Sequence, residues 1–267
     1  MATFGDRQIF YINSTNRISG TNSNFTYSLD IDQNSEYDRA VVMQCSIPKS
    51  YYLIESGYNT FTLREGVLTA TVTITPGNYN RKSFQTVLTT SLNSASPTIW
   101  TYSIAYPNTL SAADTGKFIF TVTGNGGVQP AFIFTRNVYE AMGFRSNSTN
   151  TFVANSLTST NVIKLQAEDT LYIHSDLVSN KGDNVLQEVF ANGDPSYAAI
   201  NFQNVCPDAY AKKITLSGSN SYCFYLTDES GTAIDLNGQN MQIVLLLYKE
   251  NDVYRMIKGF IKYEISK

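Results

Sequence analysis

Apolar and polar residues alternate with period two over most of the chain. Phe25, Tyr27, Leu29 and Ile31 alternate with Thr26, Ser28 and Asp30, the pattern of a strand with one face buried and one face wet. AVVMQCSIP (40–48) is a more continuous apolar run stopped by Pro48, as expected of a strand covered on both faces. NTFTLREG (59–66) and VLTATVTIT (67–75) follow, the second with threonines on its polar face, where β-branching still favours an extended backbone. Further strands are expected at 99–106, 117–124, 131–135, 161–166, 170–177, 185–191, 197–205, 221–228, 241–249 and 259–266. The turn Gly124-Asn125-Gly126-Gly127 lies between two of them and predicts a hairpin.

Only two segments carry the helical period. Phe84, Val87, Leu88 and Leu92 fall on one helix face, with Asn80 as N-cap. NVYEAMGF (137–144) has Asn137 as N-cap, Glu140 three residues on, and Gly143 as its stop. The first helix follows TITPGNYN, which raises the question of a phosphate-binding loop. One glycine, Gly77, lies three residues ahead of the cap, and Asn80 satisfies the first amides itself, so the segment reads as a structural corner. Many short strands with Gly, Asn, Asp and Pro clusters between them argue for an all-β sandwich or barrel. No repeat or Pro/Ser linker divides the chain, so one domain is expected over 22–267 behind an N-terminal arm at 1–21.

Composition narrows the function classes. Among 267 residues, 42% are hydrophobic and 13% aromatic, enough for a sizeable core, while charged residues make up only 15%, against about 25% in typical soluble domains. A surface of hydroxyls and amides repels itself poorly, which suits packing against neighbours or meeting sugars. A net charge of −3 provides no basic footprint for nucleic acid. The N-terminal MATFGDRQIFYINSTN has no basic region leading into an apolar run, and no stretch is apolar for long enough to span a membrane. A soluble chain beginning at Met1 is expected.

Cys45, Cys206 and Cys223 are odd in number, far apart and set in strand-like apolar surroundings, where a thiol acts as a small buried hydrophobe. No disulfide framework is expected, and a reducing compartment fits. The sequons at Asn13, Asn24 and Asn147 are of the number that chance supplies in a chain so rich in Asn, Ser and Thr.

Little points to chemistry. His174 is the sole histidine and sits mid-strand in LYIHSDL without a nucleophile signature. One histidine and three scattered cysteines do not make a zinc site. TGNGGV lacks the Lys-Ser/Thr of a P-loop. Glu168, Asp169, Asp176, Glu188 and Asp228 are available as carboxylates for glycoside hydrolysis, yet no pair has distinctive spacing. DESGTAIDLNGQN (228–240) departs from a calcium-loop pattern and reads as two tight turns. No catalytic, cofactor-binding or metal-ligating residue is singled out, and no cofactor is expected. The positions singled out for contact are Tyr51, Tyr52 and Tyr58, which flank the loop after Pro48; exposed tyrosines there would serve an assembly interface or stack on sugar rings, and otherwise they cover the end of the sandwich.

The order of motifs is more informative than any one of them. SIPKSYYLIESGYNTFTL, VTITPGNYNRKSFQTVLTTSLN, WTYSIAYPNTLSAADTGKFIFTV and NVYEAMGF, in that order, resemble the jelly-roll capsid proteins of eukaryotic double-stranded DNA viruses and their virophage relatives. The resemblance covers roughly residues 22 to 250 and includes Met142-Gly143-Phe144 as an LGF-like element. DTLYIHSDLVSN, NVLQEVF and FYLTDESGTAIDLNGQNMQIVLLLY look like the closing strands.

It implies a Greek-key jelly-roll β-sandwich of two packed antiparallel sheets with two short helices in its connections. It also implies a structural, non-enzymatic role in the virion after synthesis in the host cytoplasm. Within that class it is most similar to penton proteins, which close five-fold vertices as homopentamers; a minor capsid protein under the major capsid lattice is the alternative. The partners implied are further copies of this chain, the major capsid protein and other minor capsid proteins, with no nucleic acid and no membrane span. A glycan- or receptor-binding jelly-roll module is the rival from another class.

Overall fold

The protein is seen in a computed structural model that describes residues 7–31, 35–106, 114–135, 138–166, 170–178, 184–191, 198–214, 216, 220–250, 256, 260–261 and 263–265. Along the chain run β1 (Arg7–Asn13), β2 (Ser19–Gly20), β3 (Asn24–Ser28), β4 (Arg39–Pro48), β5 (Thr60–Glu65), β6 (Leu68–Thr73), α1 (Arg81–Ala95), β7 (Thr101–Ala105), β8 (Ile119–Thr123), β9 (Ala131–Ile133), α2 (Val138–Ala141), β10 (Thr149–Thr151) and β11 (Ser156–Thr158). Then come β12 (Thr170–Ser175), β13 (Val185–Phe190), β14 (Ala199–Gln203), α3 (Pro207–Tyr210), β15 (Lys212–Lys213), β16 (Ser221–Thr227) and β17 (Gln242–Tyr248). They form two compact units, one of residues Met1–Tyr51 and Glu168–Lys267, the other of Tyr52–Ala167, inserted between β4 and β12. No linker composition marks either crossing, which is why the sequence reads as one domain.

In the first unit eight strands matter: β1, β3, β4, β12, β13, β14, β16 and β17. One sheet has the order β1-β17-β4-β14, the other β13-β12-β16-β3, with β2 added beside β3 and β15 beside β4. Counted one to eight in chain order, the sheets read 1-8-3-6 and 5-4-7-2. First pairs with last (β1 and β17), second with seventh (β3 and β16), third with sixth (β4 and β14) and fourth with fifth (β12 and β13), all antiparallel. That is one long antiparallel ribbon rolled so that successive pairs fall alternately in the two sheets, which defines a jelly roll. The fold expected from the sequence is therefore present, and it resides in the first unit.

The alternation read from the sequence sets which side chains turn inward. Leu171, Ile173 and Ser175 of β12 are buried while Tyr172 and His174 are half-buried; Ile243, Leu245 and Leu247 of β17 are buried. Ala40, Val41 and Val42 of β4 are each fully buried in succession, as its continuous apolar run requires. Bulges between Val244 and Leu245 and between Ile173 and His174 shift the ladders by one residue.

The second unit holds two smaller sheets, β10-β9-β5-β6 and β11-β8-β7. Its core is aromatic: Phe120 meets Phe132 edge-on with ring centroids 5.1 Å apart, and Phe132 meets Phe152 at 5.2 Å. Helix α1 begins at Asn80, whose Oδ1 accepts from the Ser83 amide at 2.9 Å while the Asn80 amide donates to Ser83 Oγ at 3.1 Å, a reciprocal cap. The helix buries Phe84, Leu88 and Leu92. The preceding corner is closed by paired backbone hydrogen bonds between Ile54 and Gly77, and the Tyr79 hydroxyl donates to the Thr75 carbonyl. The corner reading of TITPGNYN holds.

Several expectations are corrected. Arg7–Asn13, placed in an arm, is a full edge strand paired along β17. Strands β8 and β9 are not hairpin partners. The first pairs with β7 and β11, the second with β5 and β10, because the connection 124–130 is long enough to change sheets; Asn125 Nδ2 holds it by donating to the Val128 carbonyl and to Asn155 Oδ1, both at 2.7 Å. Residues 161–166 join no ladder, since their amides are spent on separate segments: Asn161 on the Gly143 carbonyl, Ile163 on Gly116, Lys164 on Glu140. Where 259–266 is described, at Phe260, Ile261, Tyr263, Glu264 and Ile265, it is helical. Besides the two expected helices, of which α1 runs to 15 residues, there is a third, α3. Asn137, named as a cap, lies outside the described residues, but the stop at Gly143 is present: its φ is +76° and Phe144 N donates back to the Tyr139 carbonyl.

Candidate functional site

The loop after Pro48 is built inward. The Lys49 amide donates to the Ala198 carbonyl at 2.8 Å, and its buried ammonium to the Ala191 carbonyl at 3.1 Å. Ser50 Oγ donates to the Leu236 carbonyl, and Asn237 Nδ2 donates to the Ser50 carbonyl. Tyr51, so anchored, is only 1% exposed and has no ring face for a ligand. This corrects its candidacy as a contact residue. Tyr52 is half-buried, and Tyr58 is exposed beyond Gly57, whose φ is +88°. Of the three tyrosines, only Tyr58 offers substantial surface.

Apolar surface is instead found on an element the sequence placed in the arm. Ile9 and Tyr11, on the same side of edge strand β1, are 51% and 75% exposed. They lie opposite Leu246 and Val244 of β17, both half-buried, so a contiguous apolar strip runs along the sheet margin. RQIFYIN hid this strip, because four consecutive apolar residues show no alternation.

Those of the residues weighed for catalysis that the structure describes make local contacts. His174 stacks flat on Tyr225, ring centroids 4.5 Å apart and planes 4° apart, and its Nε2 lies 2.9 Å from Thr227 Oγ1. Asp176 accepts from the Cys223 amide at 2.8 Å, Asp228 from the Thr232 amide at 2.7 Å and from Ser230 Oγ, and Glu188 from the Tyr172 hydroxyl at 3.3 Å. Glu168 and Asp169 lie outside the described residues. DESGTAIDLNGQN forms two turns, closed by Gly231 N to the Asp228 carbonyl and Gln239 N to the Leu236 carbonyl. Among the described residues no three His, Cys, Asp or Glu side chains are grouped to hold a metal ion, and no helix is long and apolar enough to cross a membrane.

All three cysteines are free. Cys45 is buried, and desolvation pushes its thiol up to about 12. Burial and the Asp176 carboxylate also raise Cys223. Cys206 is exposed just before α3, contrary to the expectation that all three are buried.

One polar group in the inserted unit was not foreseen. Glu65, 2% exposed at the end of β5, accepts from the hydroxyls of Ser96, Thr98 and Tyr102 and from the Thr98 amide. Every donor comes from the segment joining α1 to β7 or from β7 itself, so the carboxylate pins that connection. Burial first, then the carboxylate, hold the Tyr102 phenol far above its ordinary range.

No family model matches the chain, and no curated protein matches it significantly. Among solved structures it is similar to the crystal structure of a selenomethionine-labelled mavirus penton protein. The two share 14% identity over 91% of this chain and 100% of that chain, with a TM-score of 0.47.

Proposed function

We propose that the protein is a structural capsid component, the penton that closes five-fold vertices as a homopentamer. The observation that carries this reading is the rolled eight-strand ribbon of the first unit together with the motif order resembling jelly-roll capsid proteins. Pro48 ends β4, Pro76-Gly77 makes the corner before α1, and Met142-Gly143-Phe144 follows α2, each at an element boundary.

A ring needs a heterologous contact, one margin of the subunit against a different margin of its neighbour. The strip of Ile9 and Tyr11 on edge strand β1 supplies apolar area for one side. Low charge keeps mutual repulsion small. The partners are copies of this chain and the major capsid protein, in a virion whose proteins are made in the host cytoplasm. Negative-stain electron microscopy of the purified protein tests the reading: class averages with five-fold rings support it, and three-fold particles contradict it in favour of a minor capsid protein.

A further inference from the structure

The inserted unit carries a depression of about 470 Å3 beside α2. Its walls are α2 with the following Phe144-Arg145-Ser146, and the extended stretch 161–164. Two backbone hydrogen bonds hold the walls together, Asn161 N to the Gly143 carbonyl at 2.8 Å and Lys164 N to the Glu140 carbonyl at 3.0 Å, and the Asn161 side chain adds a third, Nδ2 to the Phe144 carbonyl at 3.2 Å. Gly143 permits the approach, since a Cβ there would lie 2.6 Å from the Asn161 carbonyl oxygen. The cleft is therefore formed before any ligand arrives.

Its chemistry is mixed. Buried Phe144 and half-buried Tyr139 are among its lining residues, which gives an aromatic contribution. Glu140 and Lys164, both lining the depression, form an exposed ion pair at 3.2 Å. Arg145, also among the lining residues, is exposed and, among the described residues, has no carboxylate partner, so its guanidinium is able to hold a carboxylate by two parallel hydrogen bonds. Ser146 and the ion pair bring further donors and acceptors to the same opening, as a polyhydroxylated ligand requires.

We propose that this depression binds a carboxylated sugar. The Arg145 guanidinium takes the carboxylate, the sugar ring lies against the Tyr139 side, and Glu140, Ser146 and Lys164 meet the hydroxyls. The proposal is independent of ring assembly, because it uses only residues of the inserted unit.

Saturation-transfer NMR on the full chain with N-acetylneuraminic acid, glucuronic acid and glucose tests it. Binding of one or both acids is expected, with glucose silent. Arg145→Ala should weaken the acid by about tenfold, the loss of one charge-assisted pair, while Lys82→Ala on exposed α1 leaves it unchanged. Arg145 is exposed, and an unchanged circular-dichroism melt for its variant confirms folding. Equal binding of glucose, acid binding untouched by Arg145→Ala, or binding of an Asp/Glu peptide but of neither acid sugar overturns the proposal. The mass of the assembly is read separately, so failure here leaves the capsid reading standing.

Discussion

The Tyr102 hydroxyl donates to Glu65 Oε1 at 2.8 Å, both groups buried, and this contact joins the start of β7 to the end of β5. Tyr102→Phe removes one of the donors on a buried carboxylate, and Glu65→Ala leaves several donors facing an empty space. Losses of about 1–3 kcal/mol are expected for the first and more for the second. Urea unfolding checks both; an unchanged midpoint for Glu65→Ala would show the network to be incidental.

The same pair sets a pH response. The folded phenol is held above its unfolded value, so its contribution is complete below the unfolded pKa of about 10 and is lost as pH rises beyond it. Alkaline melts of the wild type should fall more steeply above that pH than those of Tyr102→Phe. Parallel curves would contradict the coupling.

Ile99 has φ +60° and is 89% exposed, a β-branched residue in the left-handed region with almost no burial to compensate. Ile99→Gly should raise stability by about 1 kcal/mol. A lower melting temperature would show that Ile99 has a contact role.

Gly143→Ala should destabilise by about 1–3 kcal/mol, because the new Cβ meets the Asn161 carbonyl and Ser159 at 2.6 and 2.9 Å in a left-handed backbone. Thermal melts read this directly, and amide exchange at Asn161 should speed up as the walls separate.

Thiol labelling separates the cysteines. Exposed Cys206 should alkylate first at pH 8, Cys223 slowly, and Cys45 only on denaturation, since it is buried and desolvation pushes its thiol up to about 12. Peptide mass spectrometry assigns the order; early labelling of Cys45 would contradict the packing of β4.

Much of the jelly roll was legible because one buried face imposes period two: Leu171 and Ile173, or Ile243 and Leu245, announce their strands. The Asn80 cap was legible because capping is a local interaction. What was not legible depends on distant partners. Nothing in GNGGVQP says that its two strands join different sheets, and nothing in NVIKLQ says that its amides serve Gly143, Gly116 and Glu140. Arg7–Asn13 is apolar on both sides, so its place on β17 was hidden. Whether Tyr51 is exposed or covered depends on the turn at 235–238, which ties down its loop. The depression beside α2 unites residues about twenty positions apart through a glycine whose role only the close approach of Asn161 reveals.

Native mass spectrometry of the purified chain tests the capsid account most directly. Five chains of 29.7 kDa each, about 149 kDa, are predicted, with Tyr11→Asp on β1 shifting the population to single chains. A stable trimer, or a monomer that persists at the highest soluble concentration, would contradict the penton assignment.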